Sequence, residues 1–362
     1  MKFGTSGLRG LVTEMSDPLC AAYTTAFLDH LGQAGMPVAT VLVGYDRRPS
    51  SPRIAAACQA AIAAAGAEVV NCGILPTPAL AFEAAQRQCP AIMVTGSHIP
   101  FDRNGLKFYR PDGEITKADE RGILEALARR PEPQAVMPPE PAAAPDDSAR
   151  SRYVRRYTAA FPPDLLEGWR IGVWQHSAAG RDVLIEILGA LGAEVIPLGY
   201  SDAFVPVDTE AVDPEAERRV AGWVREHRLD AVVSTDGDGD RPLLADEEGT
   251  FIRGDLLGML AARRLGADGV ATPISSNTAL EMSGWVARVR RTRIGSPFVI
   301  DAMQTLASEG ARIPVGYEAN GGFLLGGPVM GPGGVAIDPL PTRDAMLPVI
   351  AVLAAAGQGG LP

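Results

Sequence analysis

The segment VVSTDGDGDRPLL (232–244) places Asp236, Asp238 and Asp240 at alternate positions with only glycine between them, directly after an apolar run, and follows them with Arg241. Three carboxylates this close repel one another and push their pKa values upward unless a cation sits among them. The donors are all oxygen, a set that suits a hard divalent ion such as Mg2+ and makes a poor zinc site. Asp236, Asp238, Asp240 and Glu247 also match positions 1, 3, 5 and 12 of a calcium-binding EF-hand loop. That loop needs the glycine of a sharp turn at position 6, where this chain has Arg241 followed by Pro242, and the preceding segment reads as a strand. The plainer alternative is an acidic turn, although turns seldom need three aspartates spaced by glycine.

A second stretch, VTGSHIPFDRNGLKFY (94–109), brings Ser97 out of an apolar run beside His98, with Lys107 further on in a hairpin expected around Asn104-Gly105. A serine hydrolase would want a G-x-S-x-G elbow, and Ile99 stands in place of the second glycine. Adjacent Ser and His side chains also diverge on an extended backbone. A serine hydroxyl within reach of a metal could instead carry a phosphoryl group, the cation offsetting charge on its oxygens and Lys107 moving a proton. Read alone, Ser97 could equally just end a strand. FGTSGLRG (3–10) offers unshielded backbone N–H groups and Arg9, either an anion cradle or a glycine-rich loop. VGYEANGGF (315–323) sets Glu318 and Asn320 where they could hydrogen-bond vicinal hydroxyls, though Asn-Gly is common in ordinary turns.

Positioning these residues falls to Val- and Ile-rich runs that alternate with alanine-rich stretches of helical period. VATVLVG (38–44), AEVVNCG (67–73) and AIMVT (91–95) are separated by SPRIAAACQAAIAAAG (51–66) and PALAFEAAQRQ (78–88), the signature of βαβ units. The rhythm returns from 169 to 236 and again from about 254, ending in a helix expected over 343–357. Between the first two sets, 131–145 holds six prolines and no amphipathic period, so it reads as an extended connection. The expected domains are 1–145, including that connection, then 146–252 and 253–357, with 358–362 as a hinge stub. Open α/β sheets bind ligands at the carboxyl ends of their strands, which is where all of these polar residues fall.

The formal charge of −10 argues against nucleic acid and acidic membrane surfaces as partners, while leaving room for a small anion held by local arginines. No apolar run is long enough for a membrane span, and no leader layout opens the chain, so a cytoplasmic location is expected. Four scattered cysteines without CxxC spacing fit buried thiols rather than a disulfide framework or a zinc site. No heptad run specifies an oligomeric state.

In this order and spacing the four stretches resemble the α-D-phosphohexomutase family, which includes phosphomannomutases, phosphoglucomutases and phosphoglucosamine mutases. TGSHIP is similar to the family's phosphoserine loop, commonly T-A-S-H-N-P; DGDGDR is similar to its metal loop, GYEANGG to its sugar-recognition loop and FGTSGLRG to its N-terminal active-site loop. The resemblance implies an α/β fold of three consecutive related modules, with mixed, mostly parallel sheets sandwiched by helices around a central cleft. It implies phosphorylation of Ser97, Mg2+ held by Asp236, Asp238, Asp240 and a phosphate oxygen on Ser97, and Arg9 and Arg241 steadying the phosphoryl group. Lys107 would be the general acid/base, and Glu318, Asn320 and His98 would contact the substrate. The implied reaction interconverts hexose 1-phosphate and hexose 6-phosphate, mannose phosphate favoured, through a hexose 1,6-bisphosphate that also acts as activator.

The chain departs from the family pattern at several points. Gly96 replaces a common Ala and Ile99 a common Asn, both expected to be tolerated because neither side chain reacts. Gly322 stands where some relatives carry histidine, which leaves Lys107 as the proton-moving group. The family's fourth domain, with its R-x-S-G-T-E-P-like loop, has no counterpart in the sequence, so impaired turnover is expected. The alternatives are a non-catalytic phosphosugar-binding module that keeps the fold, and glucose or glucosamine phosphate specificity.

Overall fold

The computed structural model describes residues 1–4, 7–130 and 144–357. Thr5 and Ser6 of the N-terminal loop, 131–143 of the proline-rich connection and the stub at 358–362 lie outside the described residues. The chain divides into two compact units, Met1–Tyr153 and Val154–Pro362.

The first unit runs β1 (Lys2–Phe3), β2 (Leu8–Leu11), α1 (Asp17–Gln33), β3 (Thr40–Tyr45), α2 (Ser51–Ala64), β4 (Glu68–Ile74), α3 (Thr77–Arg87), β5 (Ala91–Val94), β6 (Arg103–Arg110), β7 (Gly113–Glu114) and α4 (Lys117–Ala128). Helices α1, α2 and α3 each carry proline in the first turn, where its missing N–H costs nothing. A capping box of Thr116 and Asp119 starts α4. The core buries Phe27, Ile54, Cys58 and Ile123 of the helices against Val41, Val43, Ile92, Val94, Leu106 and Phe108 of the sheet. Asn104 and Gly105 do not form the expected turn. They lie inside β6, where Asn104 Nδ2 donates to the Ser50 and Ser51 hydroxyls, both at 2.9 Å. The turn of that hairpin is instead 95–102, the segment carrying Ser97.

Helix α5 (Ser148–Thr158) spans the point of division. The second unit continues with β8 (Arg170–His176), α6 (Arg181–Ala190), β9 (Glu194–Tyr200), α7 (Pro214–His227), β10 (Ala231–Thr235), β11 (Pro242–Ala245), α8 (Gly254–Arg264), β12 (Gly269–Pro273), α9 (Ala279–Ser283), β13 (Val289–Thr292), α10 (Ser296–Ser308) and β14 (Pro314–Tyr317). It ends with β15 (Phe323–Leu325), the small ribbon of β16 (Val329–Met330) and β17 (Ala336–Ile337), β18 (Leu340–Asp344) and α11 (Met346–Ala356). The stretch 343–357, expected as one helix, is therefore divided. Arg343 and Asp344 finish a strand, and Asp344 Oδ1 accepts the Met346 N–H at 2.9 Å where α11 begins.

The rhythm seen in the sequence is a repeat of topology. Three sheets contain the successive quartets β4-β3-β5-β6, β9-β8-β10-β11 and β13-β12-β14-β15, so each places its second strand outermost, then its first, third and fourth. Within each quartet the first three strands are parallel and the fourth returns antiparallel to the third. The sheets are thus mixed, a parallel trio extended by antiparallel strands on one side: β2 and β1 beyond β6, and β18 beyond β15. The link from third to fourth strand is 95–102 in the first quartet, 236–241 in the second and 318–322 in the third. Each opens at the carboxyl end of a parallel strand. Among the described residues no helix is long and apolar enough to cross a membrane.

Candidate active site

In the first unit, Ser97 is buried with φ +53°, a left-handed conformation uncommon outside glycine. That geometry overturns the argument from extended backbone: the side chains of Ser97 and His98 do not diverge, and Ser97 Oγ lies 3.3 Å from His98 Nδ1. Two residues that sequence reasoning missed hold the loop. Arg48 follows β3 and is 1 % exposed. Its guanidinium donates to three loop carbonyls, Ser97 at 2.8 Å, Ile99 at 2.5 Å and Pro100 at 2.7 Å, to the Arg103 carbonyl at the start of β6 at 3.0 Å, and to Asp46 Oδ2 at 3.2 Å. Asp46 in turn accepts from the Thr95 hydroxyl at 2.8 Å, the Gly96 N–H at 3.3 Å and the Ser51 hydroxyl at 2.5 Å. Burial pushes the Asp46 carboxyl up, and Arg48 and these donors oppose it. Gly96 is the residue the packing asks for, because a methyl there would stand 2.6 Å from the Arg48 guanidinium carbon. The charged pair in GYDRRPS, directly after an apolar strand, was the available signal.

Arg9 belongs to strand β2 rather than to a loop, paired opposite Gly105 of β6. Lys107 pairs opposite Met93 of β5 and is 6 % exposed. Strand alternation puts Arg9, Gly105 and Lys107 on one face of the sheet, while Leu8, Leu106 and Phe108 point to the core on the other. Lys107 is one of three lysines in the chain, and the other two, Lys2 and Lys117, are exposed.

In the second unit, β10 delivers Asp236, Asp238 and Asp240 to one point. All three are buried, and one oxygen from each lies within 4.8 Å of the others. The loop is shaped by its own backbone: Asp236 N–H donates to Arg241 O at 3.0 Å, Asp236 Oδ1 accepts from the Asp240 and Arg241 N–H groups at 3.3 and 3.2 Å, and Gly239 takes φ +72°. A buried, all-carboxylate donor set of this span fits a hard divalent cation. Arg241 Nε lies 3.7 Å from Asp240 Oδ1. His176 at the end of β8 is set against the same hairpin, with Nε2 2.9 Å from Thr235 O.

The third loop closes on itself through Glu318 N–H to Gly322 O at 3.1 Å and Gly321 N–H to Glu318 O at 3.0 Å. Asn320 Oδ1 accepts the Gly322 N–H at 2.9 Å, so its side chain shapes the turn. Glu318 is 3 % exposed and accepts from Arg343 Nη1 at 3.1 Å. Arg343 also donates from Nε and Nη2 to Asp240 Oδ2, at 3.1 and 2.9 Å. The link from β9 to α7 reaches the same place. Thr209 Oγ1 donates to Asn320 O at 2.8 Å, and burial raises the Glu210 carboxyl against the pull of Arg241. No local spacing announces Thr209, Glu210 or Arg343.

With this arrangement in view, three family models match in succession: Phosphoglucomutase/phosphomannomutase, alpha/beta/alpha domain I over residues 1–134, domain II over 151–249 and domain III over 253–362. A phosphomannomutase of Sinorhizobium fredii (strain NBRC 101917 / NGR234) is 49 % identical over 366 residues, covering 100 % of this chain and 77 % of the relative. A phosphoglucosamine mutase of Maricaulis maris (strain MCS10) is 31 % identical over 385 residues, covering 99 % of this chain and 79 % of the relative. The crystal structure of a putative phosphomannomutase from Thermus thermophilus superposes with a TM-score of 0.80 at 23 % identity, covering 98 % of this chain and 80 % of that one. The fold and the sequence define a hexose phosphate mutase scaffold. The chain belongs to the phosphoglucomutase/phosphomannomutase family.

Proposed function

We propose that this protein interconverts hexose 1-phosphate and hexose 6-phosphate, with mannose phosphate preferred, through a phosphorylated Ser97. The observation that carries the reading is the buried triad Asp236, Asp238 and Asp240, kept intact in a chain 49 % identical along its length to a phosphomannomutase. A module that only held a phosphosugar would have no use for three buried carboxylates converging on one point. The preference for mannose is supported by the gap between 49 % and 31 % identity to the mannose and glucosamine enzymes.

Asp236, Asp238 and Asp240, with a phosphate oxygen on Ser97, would hold Mg2+, which supplies positive charge against the transferring phosphoryl oxygens. Ser97 carries the phosphoryl group. A sugar hydroxyl oxygen bonds to phosphorus as the bond to Ser97 Oγ breaks, and Lys107 exchanges the proton with that hydroxyl. Arg9 and Arg241 offer guanidinium forks to the same oxygens. His98, beside Ser97 Oγ, contacts the phosphate, while Glu318 accepts from sugar hydroxyls and Asn320 keeps its loop in shape. The bisphosphate so formed hands its other phosphoryl group back to Ser97, leaving the phosphate at the other position of the sugar. By the same step, added hexose 1,6-bisphosphate would phosphorylate an unmodified Ser97 and so activate the protein.

Relative rates with mannose 1-phosphate, glucose 1-phosphate and glucosamine 1-phosphate in the presence of Mg2+ test the substrate. Intact-mass measurement of wild type and Ser97→Ala tests the phosphoenzyme. Turnover of mannose 1-phosphate fastest of the three, with one phosphoryl mass present on wild type and missing from the variant, is expected. A phosphoryl mass retained by Ser97→Ala, or no turnover of any of the three sugars, sinks the reading.

A further inference from the structure

Two of the three loops meet on a side chain that neither spacing nor motif assigns. Arg343, at the end of β18, is 4 % exposed and divides one guanidinium between Asp240 Oδ2 and Glu318 Oε2. Its stem runs across Gly322: a methyl at that position would stand 2.5 Å from Arg343 Cδ and 2.8 Å from Cγ. A side chain at 322 and the arginine thus compete for one volume, and in this chain the arginine fills it. A glycine that by sequence only removed a proton-moving candidate is the gap through which a cation reaches both loops.

We propose that Arg343 is a positioning residue that couples metal binding at Asp236, Asp238 and Asp240 to sugar recognition at Glu318. Nε and Nη2 anchor the planar guanidinium on Asp240 while Nη1 holds the Glu318 carboxylate, so Glu318 is set before substrate arrives and less ordering is left for the binding step. The same positive charge rests against Asp240 and opposes a divalent cation there. Removing it therefore acts with opposite signs on the two ligands: sugar binding weakens while metal binding tightens. A side chain that merely supported the fold would weaken both. The sugar half of this inference rests on the mutase reading above; the metal half does not.

The test uses the full chain. Mg2+ binding is measured by calorimetry without sugar, and KM and kcat with mannose 1-phosphate. Arg343→Met is expected to bind Mg2+ about threefold tighter or more, while KM rises about tenfold. Arg343→Lys keeps the charge without the fork, so its Mg2+ affinity stays within about twofold of wild type while KM rises. Gly322→Ala pushes the stem aside with the arginine still present and raises KM as well. Mg2+ affinity unchanged or weaker in Arg343→Met, or KM within about twofold of wild type, overturns the proposal. Should Arg343→Met fail to fold by circular dichroism, unchanged KM in both Arg343→Lys and Gly322→Ala overturns it. A wild type that turns over no hexose phosphate removes the mutase reading and leaves the Mg2+ titration of Arg343→Met to decide.

Discussion

Arg48 Nη2 donates to the carbonyl oxygen of Ser97 itself, at 2.8 Å, forty-nine residues away in sequence. With Ile99, Pro100 and Arg103 accepting from the same guanidinium, the loop that carries Ser97 is wound around a buried cation. Holding a serine at φ +53° costs about 1–3 kcal/mol, which these charge-assisted bonds offset.

Arg48→Lys is therefore not a conservative change. One ammonium replaces a planar fork, and several buried carbonyls lose their donor. The expected cost is about 3 kcal/mol or more, read as a lower urea midpoint, together with a fall in kcat larger than any rise in KM. A variant with wild-type kcat would show that the loop keeps its shape without the fork.

The metal loop predicts a stability effect that needs no substrate. Three buried carboxylates within 4.8 Å repel one another unless a cation binds, and a cation that binds only the folded chain stabilises it by mass action. Mg2+ at a hundred times its dissociation constant is worth about 2.7 kcal/mol, so the melting temperature should rise on addition and return with chelator. Asp238→Asn, which removes a charge without changing size, should abolish most of that rise.

Local order carried most of what the sequence disclosed. Asp236, Asp238 and Asp240 lie within five consecutive residues, and the runs that become β3, α2, β4, α3 and β5 each hold their own period. Asp46, Arg48, Thr209 and Arg343 act on partners 25 to 111 residues away, and only the sheet order brings those partners close. Asn104-Gly105 misled because a turn dipeptide also serves inside a strand when buried hydroxyls await the amide, as Ser50 and Ser51 do here. The divergence expected of Ser97 and His98 assumed an extended backbone, and a left-handed residue leaves no mark in composition. The start of helix α1 is marked locally as well, by Ser16 ahead of Asp17 and Pro18 in the first turn.

The cysteines offer a check on packing in the first unit. Cys20, Cys58, Cys72 and Cys89 are all free and buried, and burial pushes the first three thiols to about 12 and Cys89 to about 11. The thiolate is the reactive form, so none should react with a disulfide reagent at pH 8 while the chain is folded. All four should react in guanidinium. Rapid labelling of a native thiol would mean that this core opens locally.

His176 sets an acid limit on stability. Its ring is buried at the metal hairpin, and burial, with Arg181 adding to it, lowers its pKa from 6.5 to about 4. In the folded chain it stays neutral over a range where the unfolded chain takes up a proton. Stability from this group is thus full above the unfolded pKa and is lost as pH falls from about 6.5 toward 4. Between pH 7.5 and pH 5 the loss should come to about 2 kcal/mol. His176 also has φ +26°, and asparagine tolerates such backbone angles better than most residues. His176→Asn should therefore fold, and its urea midpoint should fall less than that of wild type over the same pH range. Equal falls for both proteins would mean that another group governs the acid limb.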